Sequence, residues 1–391
     1  MKKIQLVNEN IYIFGFGPAG HWASENISSK VSGFIDNDLK KNGKSFNNIK
    51  CLSVENAQKE ILENDVILVS TMDIQDIIFD LEKKFPLNKK IFLGEVIEEI
   101  DISKSFNSSN KTVEFLEYTI NAVKVCHKSY LDKNLVFARS IDIIITEKCT
   151  LKCKDCSNLM QFYETPENHS FIKVTNDFSK LIKSINLVLE VRLIGGEPFI
   201  NKEIYDFIDF YMQQEKVLKV VVYTNATIKL KQERLLKYKG NLKLIFSITN
   251  YGLLSKSTEI VIEMLENLNI AYRSEPPNNW TDSGKIIEKR ESFLENQDIF
   301  EKCCAKNTFT QMNGKLYRCP FAANAEQLEA IPKSKSNAIN INDDTDMINK
   351  FILNTQYIDA CSFCNGRSHD MPEITPAVQT KTVLKYIKIS S

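Results

Sequence analysis

Cys149, Cys153 and Cys156 stand in a CxxxCxxC run, and three thiolates so spaced can hold three irons of a 4Fe–4S cube while the fourth iron stays open to a ligand. Structural zinc is the competing reading. It asks for a fourth protein ligand, and within roughly twenty residues only His169 is offered. A second group, Cys303, Cys304, Cys319, Cys361 and Cys364, lies in the last quarter of the chain. Four such thiolates suit a fully ligated 4Fe–4S cube or a zinc ribbon. The chain has 10 cysteines and 4 histidines, and no histidine falls inside a cysteine group, so a metal centre here is dominated by thiolates.

Such a loop needs a rigid frame. Ser140 to Thr146 runs directly into it as a buried strand, and Glu190 to Ile194, Val220 to Thr224, Leu242 to Ile248 and Ile270 to Arg273 read the same way. Phe178 to Leu189 and Ile204 to Gln214 carry apolar residues at helical spacing. Strand and helix alternate, which predicts an α/β fold with a parallel sheet or a partial (β/α) barrel whose acting residues follow the strand ends. An earlier series, Ile11 to Phe14, Val31 to Ile35, Asp65 to Ser70 and Lys90 to Leu93, predicts a second parallel sheet, followed by a helical connection over 95 to 135. Beyond residue 290 the pattern is irregular except for a hairpin, Phe309 to Met312 and Lys315 to Tyr317, around Asn313-Gly314. The expected domains are 1–135, 136–290 and 291–391.

Behind the cysteine loop the strands end in Gly195-Gly196-Glu197-Pro198, then Thr224-Asn225, then Ser247-Ile248-Thr249, and the fifth ends in Arg273. With CxxxCxxC ahead of them, residues 140–275 resemble the core of the radical S-adenosylmethionine (SAM) superfamily. The resemblance implies a 4Fe–4S cluster on Cys149, Cys153 and Cys156. It implies that Gly195, Gly196 and Glu197 bind the amino group of SAM, and that Asn225, Ser247 and Thr249 lie where its ribose is met. Arg273 would meet the SAM carboxylate or make a surface salt bridge. The residue types are sensible for this, since glycine permits close approach and a carboxylate pairs an ammonium. One position departs from the pattern: the residue before the third cysteine, often aromatic in the family, is Asp155.

Cys304 is followed by nine residues, Gly314, four residues and Cys319, and Cys361-Ser362-Phe363-Cys364 closes the group. This is similar to the SPASM and twitch auxiliary-cluster domains, and implies a second 4Fe–4S cluster on Cys304, Cys319, Cys361 and Cys364. Cys304 is preferred to Cys303 because its spacing matches. Arg367 and His369 follow this group, and Trp280 and Asp282 follow the last strand of the series; each reads either as lining a substrate pocket or as ordinary packing and loop polarity.

Near the N-terminus, Gly15-Phe16-Gly17-Pro18-Ala19-Gly20 leaves a strand and opens a helix, and Asp36 ends the next strand 21 residues after Gly15. This fits a dinucleotide fingerprint in which Gly15, Gly17 and Gly20 bring a pyrophosphate to the helix N-terminus and Asp36 bonds a ribose hydroxyl. The stretch resembles the Rossmann-like nucleotide-binding domain found beside sugar-modifying enzymes of bacterial polysaccharide loci. It implies a bound nucleotide or nucleotide-sugar, or a scaffold that docks a partner.

At 391 residues the chain has room for two or three domains of roughly 150 residues each. Lys+Arg and Asp+Glu both number 50, which argues against nucleic acid as a partner. No apolar run of about 18 residues occurs, so no membrane span is expected and a cytoplasmic location is. The resemblances imply an oxidoreductase or epimerase: a flavodoxin or ferredoxin supplies an electron, SAM is cleaved to a 5′-deoxyadenosyl radical, and that radical takes hydrogen from a substrate carbon. An auxiliary cluster able to accept an electron suits oxidation of a hydroxyl-bearing carbon, so a sugar or nucleotide-sugar is the expected substrate. A peptide-modifying maturase is the second reading, and a non-enzymatic zinc-bound binding module the third.

Overall fold

Apolar runs flanked by turn residues become buried parallel strands in both halves of the chain. The computed structural model describes residues 10–97, 112–277, 280–289, 292–368 and 371–389, and it divides into two units, Met1–Leu135 and Val136–Ser391.

In the first unit the strands are β1 (Ile11–Phe14), β2 (Val31–Asp36), β3 (Ser45–Phe46), β4 (Ile49–Ser53), β5 (Val66–Val69) and β6 (Lys89–Phe92). Their order is β3-β4-β2-β1-β5-β6, parallel throughout except for the β3–β4 hairpin. The hairpin was not legible in advance because β3 is two residues long within the polar run Lys40 to Lys50 and β4 carries only Cys51 and Leu52 as an apolar core. Helix Val113–Leu131 carries the fully buried His127. Its Nδ1 accepts from the Gly94 N–H at 2.9 Å and its Nε2 lies 2.8 Å from the Thr71 carbonyl, and burial lowers its pKa to about 4, so the ring is a neutral structural strut.

In the second unit the strands are β7 (Phe137–Thr146), β8 (Leu187–Gly195), β9 (Val217–Thr224), β10 (Leu244–Thr249), β11 (Ala271–Glu275), β12 (Trp280–Thr281), β13 (Thr308–Met312), β14 (Lys315–Tyr317), β15 (Ala338–Asn340) and β16 (Glu373–Ile374). Eight form one sheet in the order β11-β10-β9-β8-β7-β13-β14-β15, and β12 pairs with β16. Strands β7 to β11 are parallel, as the alternation predicted. Helices Phe171–Leu181, Ile204–Met212 and Thr258–Asn267 pack an apolar stripe onto the sheet. The first of these corrects an expectation: the helix ends at Leu181, and Leu187 to Leu189 open β8, an apolar run buried on both faces at Val188 and Leu189.

The Asn313-Gly314 turn forms as expected, with φ of 48° and 76°. Its strand β13, however, pairs in parallel with β7, so the last segment extends the central sheet. Among the described residues no helix is long and apolar enough to cross a membrane.

Candidate functional site

Strand β7 delivers the first cysteine loop to the end of β8. The Gly196 N–H donates to the Thr146 carbonyl at 3.0 Å and the Glu197 N–H to that of Lys148 at 2.8 Å. A Cβ on Gly196 would stand 2.2 Å from the Lys148 oxygen and 2.8 Å from Cys149 Cβ, so glycine is what lets strand and loop meet. Cys149, Cys153 and Cys156 share one apolar patch with Leu151, Tyr251 and Trp280. Burial pushes the Cys149 thiol up to about 12 and that of Cys153 up to about 11, and raises Cys156 as well.

Glu197 is fully buried. Its carboxylate accepts from Thr224 Oγ1 at 2.9 Å, the Asn225 N–H at 2.8 Å and the Phe199 N–H at 3.2 Å. Burial raises its pKa to about 7, with those three donors pulling the other way. Asn225 in turn donates from Nδ2 to Thr150 Oγ1 at 3.1 Å and to Cys149 Sγ at 3.8 Å. Gly195, Gly196, Glu197 and Asn225 therefore converge on the cysteine loop, but the Glu197 carboxylate is committed to the protein's own donors. These bonds make it a brace between the β8 and β9 ends. Glu197→Ala, which strands three donors, is expected to destabilise the second unit by about 3 kcal/mol in urea unfolding.

Ser247 and Arg273 are opposite each other on β10 and β11, and Arg273 Nε donates to Ser247 Oγ at 3.0 Å. Arg273 also pairs with Glu275 at 3.8 Å. Thr249 ends β10, and two residues on, Tyr251 reaches the cysteine patch with its ring 6.2 Å from that of Trp280.

The second cysteine group lines a cavity walled by Cys303, Cys319, Cys361 and Cys364 with Phe300 and Arg367. Here the structure corrects the sequence reading, since Cys303 and not Cys304 faces the other thiols. Cys303 caps helix Phe293–Lys302 in extended backbone (φ −77°, ψ 126°), and in extended chain successive side chains point opposite ways. Cys319 is the N-cap of helix Pro320–Gln327, its sulfur accepting from the Ala322 N–H at 3.4 Å, a position that favours a thiolate. Arg318 beside it is buried, bonded to the Lys306 and Ile352 carbonyls and stacked 4.3 Å over Phe309. Burial pulls it down to about 10, and the charge that opposes this is on Cys319. A buried guanidinium so placed calls for negative charge, which deprotonated, metal-bound thiols provide.

Among the described residues no three His, Cys, Asp or Glu side chains stand close enough to hold a single metal ion. The donor set at both places is nonetheless that of a thiolate-ligated centre: grouped, largely buried cysteines with a cation beside the second. Because burial raises the thiols of Cys149, Cys153, Cys156, Cys319, Cys361 and Cys364, each of these that becomes a ligand must release its proton, and affinity falls as pH falls. Calorimetric metal titration in two buffers is expected to show about one proton released per thiol bound, and tighter binding at about pH 9 than at about pH 7.

An open cavity of about 460 Å³ is lined by Asp155, Ser157, Trp280, Cys304, Arg367 and Glu373 among others. Asp155 and Ser157 flank Cys156, while Arg367 also walls the second cysteine cavity and donates to the Ser157 carbonyl at 3.2 Å. Trp280 lines this space and also packs edge-on against Tyr251. Asp282 does not line it, its carboxylate being paired with Lys285 at 2.8 Å, and His369 lies outside the described residues. Sequence reasoning missed Asp155, Cys304 and Glu373 as cavity walls; only the unusual Asp155 carried a signal.

In the first unit, Gly15 and Gly17 form the turn after β1 and Gly20 lies in the first turn of helix Pro18–Asn26, where a Cβ would stand 2.0 Å from the Gly15 oxygen. Asp36 does not stand open beside them. It accepts from the Phe16 N–H at 2.8 Å and the Asp38 N–H at 2.9 Å and pairs with Lys41 at 3.0 Å, so it ties the glycine turn to the end of β2.

Residues 138–249, from β7 to the end of β10, match the family model of a 4Fe-4S single cluster domain. A stretch of 118 residues is 27% identical to the GTP 3′,8-cyclase of Campylobacter lari, covering 27% of this chain and 33% of that protein. The chain thus matches about a third of that relative's length. Similar solved structures include BtrN in complex with AdoMet and 2-DOIA, at 14% identity over 57% of this chain and 84% of that one, with a TM-score of 0.40. They also include Streptococcus suis SuiB bound to the precursor peptide SuiA, at 17% identity over 74% and 79%, with a TM-score of 0.27. The family match covers the part of the chain that holds Cys149, Cys153 and Cys156.

Proposed function

We propose that this chain is a radical SAM enzyme that acts on a hydroxyl-bearing small molecule, a sugar or nucleotide-sugar, by oxidation or epimerisation. The observation that carries the reading is the 460 Å³ cavity whose walls come from both cysteine groups, Asp155 and Ser157 from one and Arg367 from the other. Cys149, Cys153 and Cys156 would hold a 4Fe–4S cluster with SAM, and Cys303, Cys319, Cys361 and Cys364 an auxiliary 4Fe–4S cluster. With SAM bound, such a centre would supply one-electron reductive cleavage of SAM, and so hydrogen abstraction from a substrate carbon, with the electron coming from a flavodoxin or ferredoxin.

The protein's own residues do the remaining work. Glu197 and Asn225 lock the cysteine loop to the ends of β8 and β9, so the centre keeps one orientation. Gly195 and Gly196 let the end of β8 lie directly against Thr146 and Lys148 at the start of the cysteine loop, and the Ser247–Arg273 pair on β10 and β11 would turn a hydroxyl and a guanidinium toward the ribose and carboxylate of SAM. In the cavity Trp280 presents an aromatic face, and Asp155, Ser157 and Glu373 present acceptors, a lining suited to a ring bearing hydroxyls. The Rossmann-like first unit fits a nucleotide-sugar origin for that substrate, with the open space over Gly17 as the pyrophosphate seat.

The test is anaerobic turnover of reconstituted protein with SAM, reductant and a panel of sugar nucleotides deuterated on the ring. Deuterium in 5′-deoxyadenosine together with an oxidised or inverted sugar supports the proposal. Deuterium arriving from peptides and from no sugar would make the chain a peptide maturase instead.

A further inference from the structure

The C-terminal tail closes over the first cysteine loop, 226 residues away in sequence. The Lys154 N–H donates to the Val378 carbonyl and the Thr380 N–H to the Lys152 carbonyl, each at 2.7 Å, so the two segments run antiparallel with Cys153 opposite Gln379. Ala377 packs beneath, against Leu151 and Cys153. The Gln379 side chain is held at both ends. Its Oε1 accepts from the Lys152 N–H at 2.8 Å and its Nε2 donates to the Ala377 carbonyl at 2.7 Å and to Cys153 Sγ at 3.3 Å. Those partners fix which end of the amide faces the sulfur. Further along, the tail is pinned by the Leu384 N–H to the Gln161 carbonyl and by Tyr386 Oη to the Leu328 carbonyl.

We propose that residues 377–380 are a strap over the first cysteine loop, and that Gln379 is a positioning residue whose N–H bond to Cys153 sulfur sets the electron affinity of the centre held there. This rests on the proposed function in assuming an iron–sulfur centre on that loop. A sulfur that accepts an N–H bond gives less charge to its iron. The reduced centre carries more negative charge than the oxidised one and gains more from the bond, so the bond favours reduction.

The test is the reduction potential of the first centre in anaerobically reconstituted holoprotein, followed by electron paramagnetic resonance, the first centre being the one whose signal changes when SAM is added. Gln379→Leu is expected to lower the equilibrium constant for one-electron reduction about tenfold, or ~59 mV. Gln379→Glu keeps the acceptor for Lys152, removes the donor and sets a negative charge beside the sulfur, so it should lower the potential at least as far with iron content unchanged. Two variants with the wild-type potential and full iron would overturn the role of Gln379 and leave the proposed function standing. Loss of iron in Gln379→Glu with an unmoved potential in the remaining centres would reduce the strap to a structural clasp and overturn it equally. A wild-type protein with no reducible centre that responds to SAM would overturn both.

Discussion

Cys153→Ala is expected to bring reductive SAM cleavage down to the no-protein background, whereas Cys319→Ala keeps some cleavage and loses substrate turnover. Cys153 sits at the middle of the first loop, nearly enclosed, with Gln379 donating to its sulfur. Removing it leaves two thiols where three irons need ligands. Cys319 belongs to the other cavity, at the head of helix Pro320–Gln327 beside Arg318, so its loss spares the chemistry of the first loop. 5′-Deoxyadenosine formed with and without substrate, counted against product, separates the two roles. Equal loss in both variants would mean that the second site only supports the fold.

The second large effect distinguishes adjacent cysteines. Cys303→Ala is expected to reduce iron from about eight per chain to about four, while Cys304→Ala keeps the full complement. Cys303 faces Cys319, Cys361 and Cys364, and Cys304 opens onto the neighbouring cavity with Trp280 and Arg367. Iron and acid-labile sulfide on the two reconstituted variants decide it. The reverse pattern would restore the ligand choice that spacing alone favoured.

That reversal marks where the sequence stopped being readable. Parallel strands β7 to β11 could be read because each is a short apolar run just ahead of a residue with chemistry, such as Thr146 before the loop or Thr224 before Asn225. The CxxxCxxC loop and the Asn313-Gly314 hairpin were legible because their geometry is local. Cys303 was not, since which of two neighbours faces a cavity depends on the backbone angle where helix Phe293–Lys302 stops. Glu197 and Asp36 were found as residues, but the bonds that tie Glu197 to the Asn225 N–H and Asp36 to the Phe16 N–H were not, because only the tertiary fold brings those donors near. The addition of β13 to β7 and the return of Gln379 to Cys153 are pairings across long sequence separations, and no local pattern announces them.

The account stands most directly on whether SAM is cleaved at the first loop. Wild-type protein, reconstituted without oxygen, would be reduced with SAM and assayed for 5′-deoxyadenosine and methionine, with iron and zinc counted in the same sample. The account predicts both products in equal amounts from a protein carrying about eight irons. A colourless protein that holds zinc and leaves SAM intact would contradict it and identify the chain as a zinc-bound module.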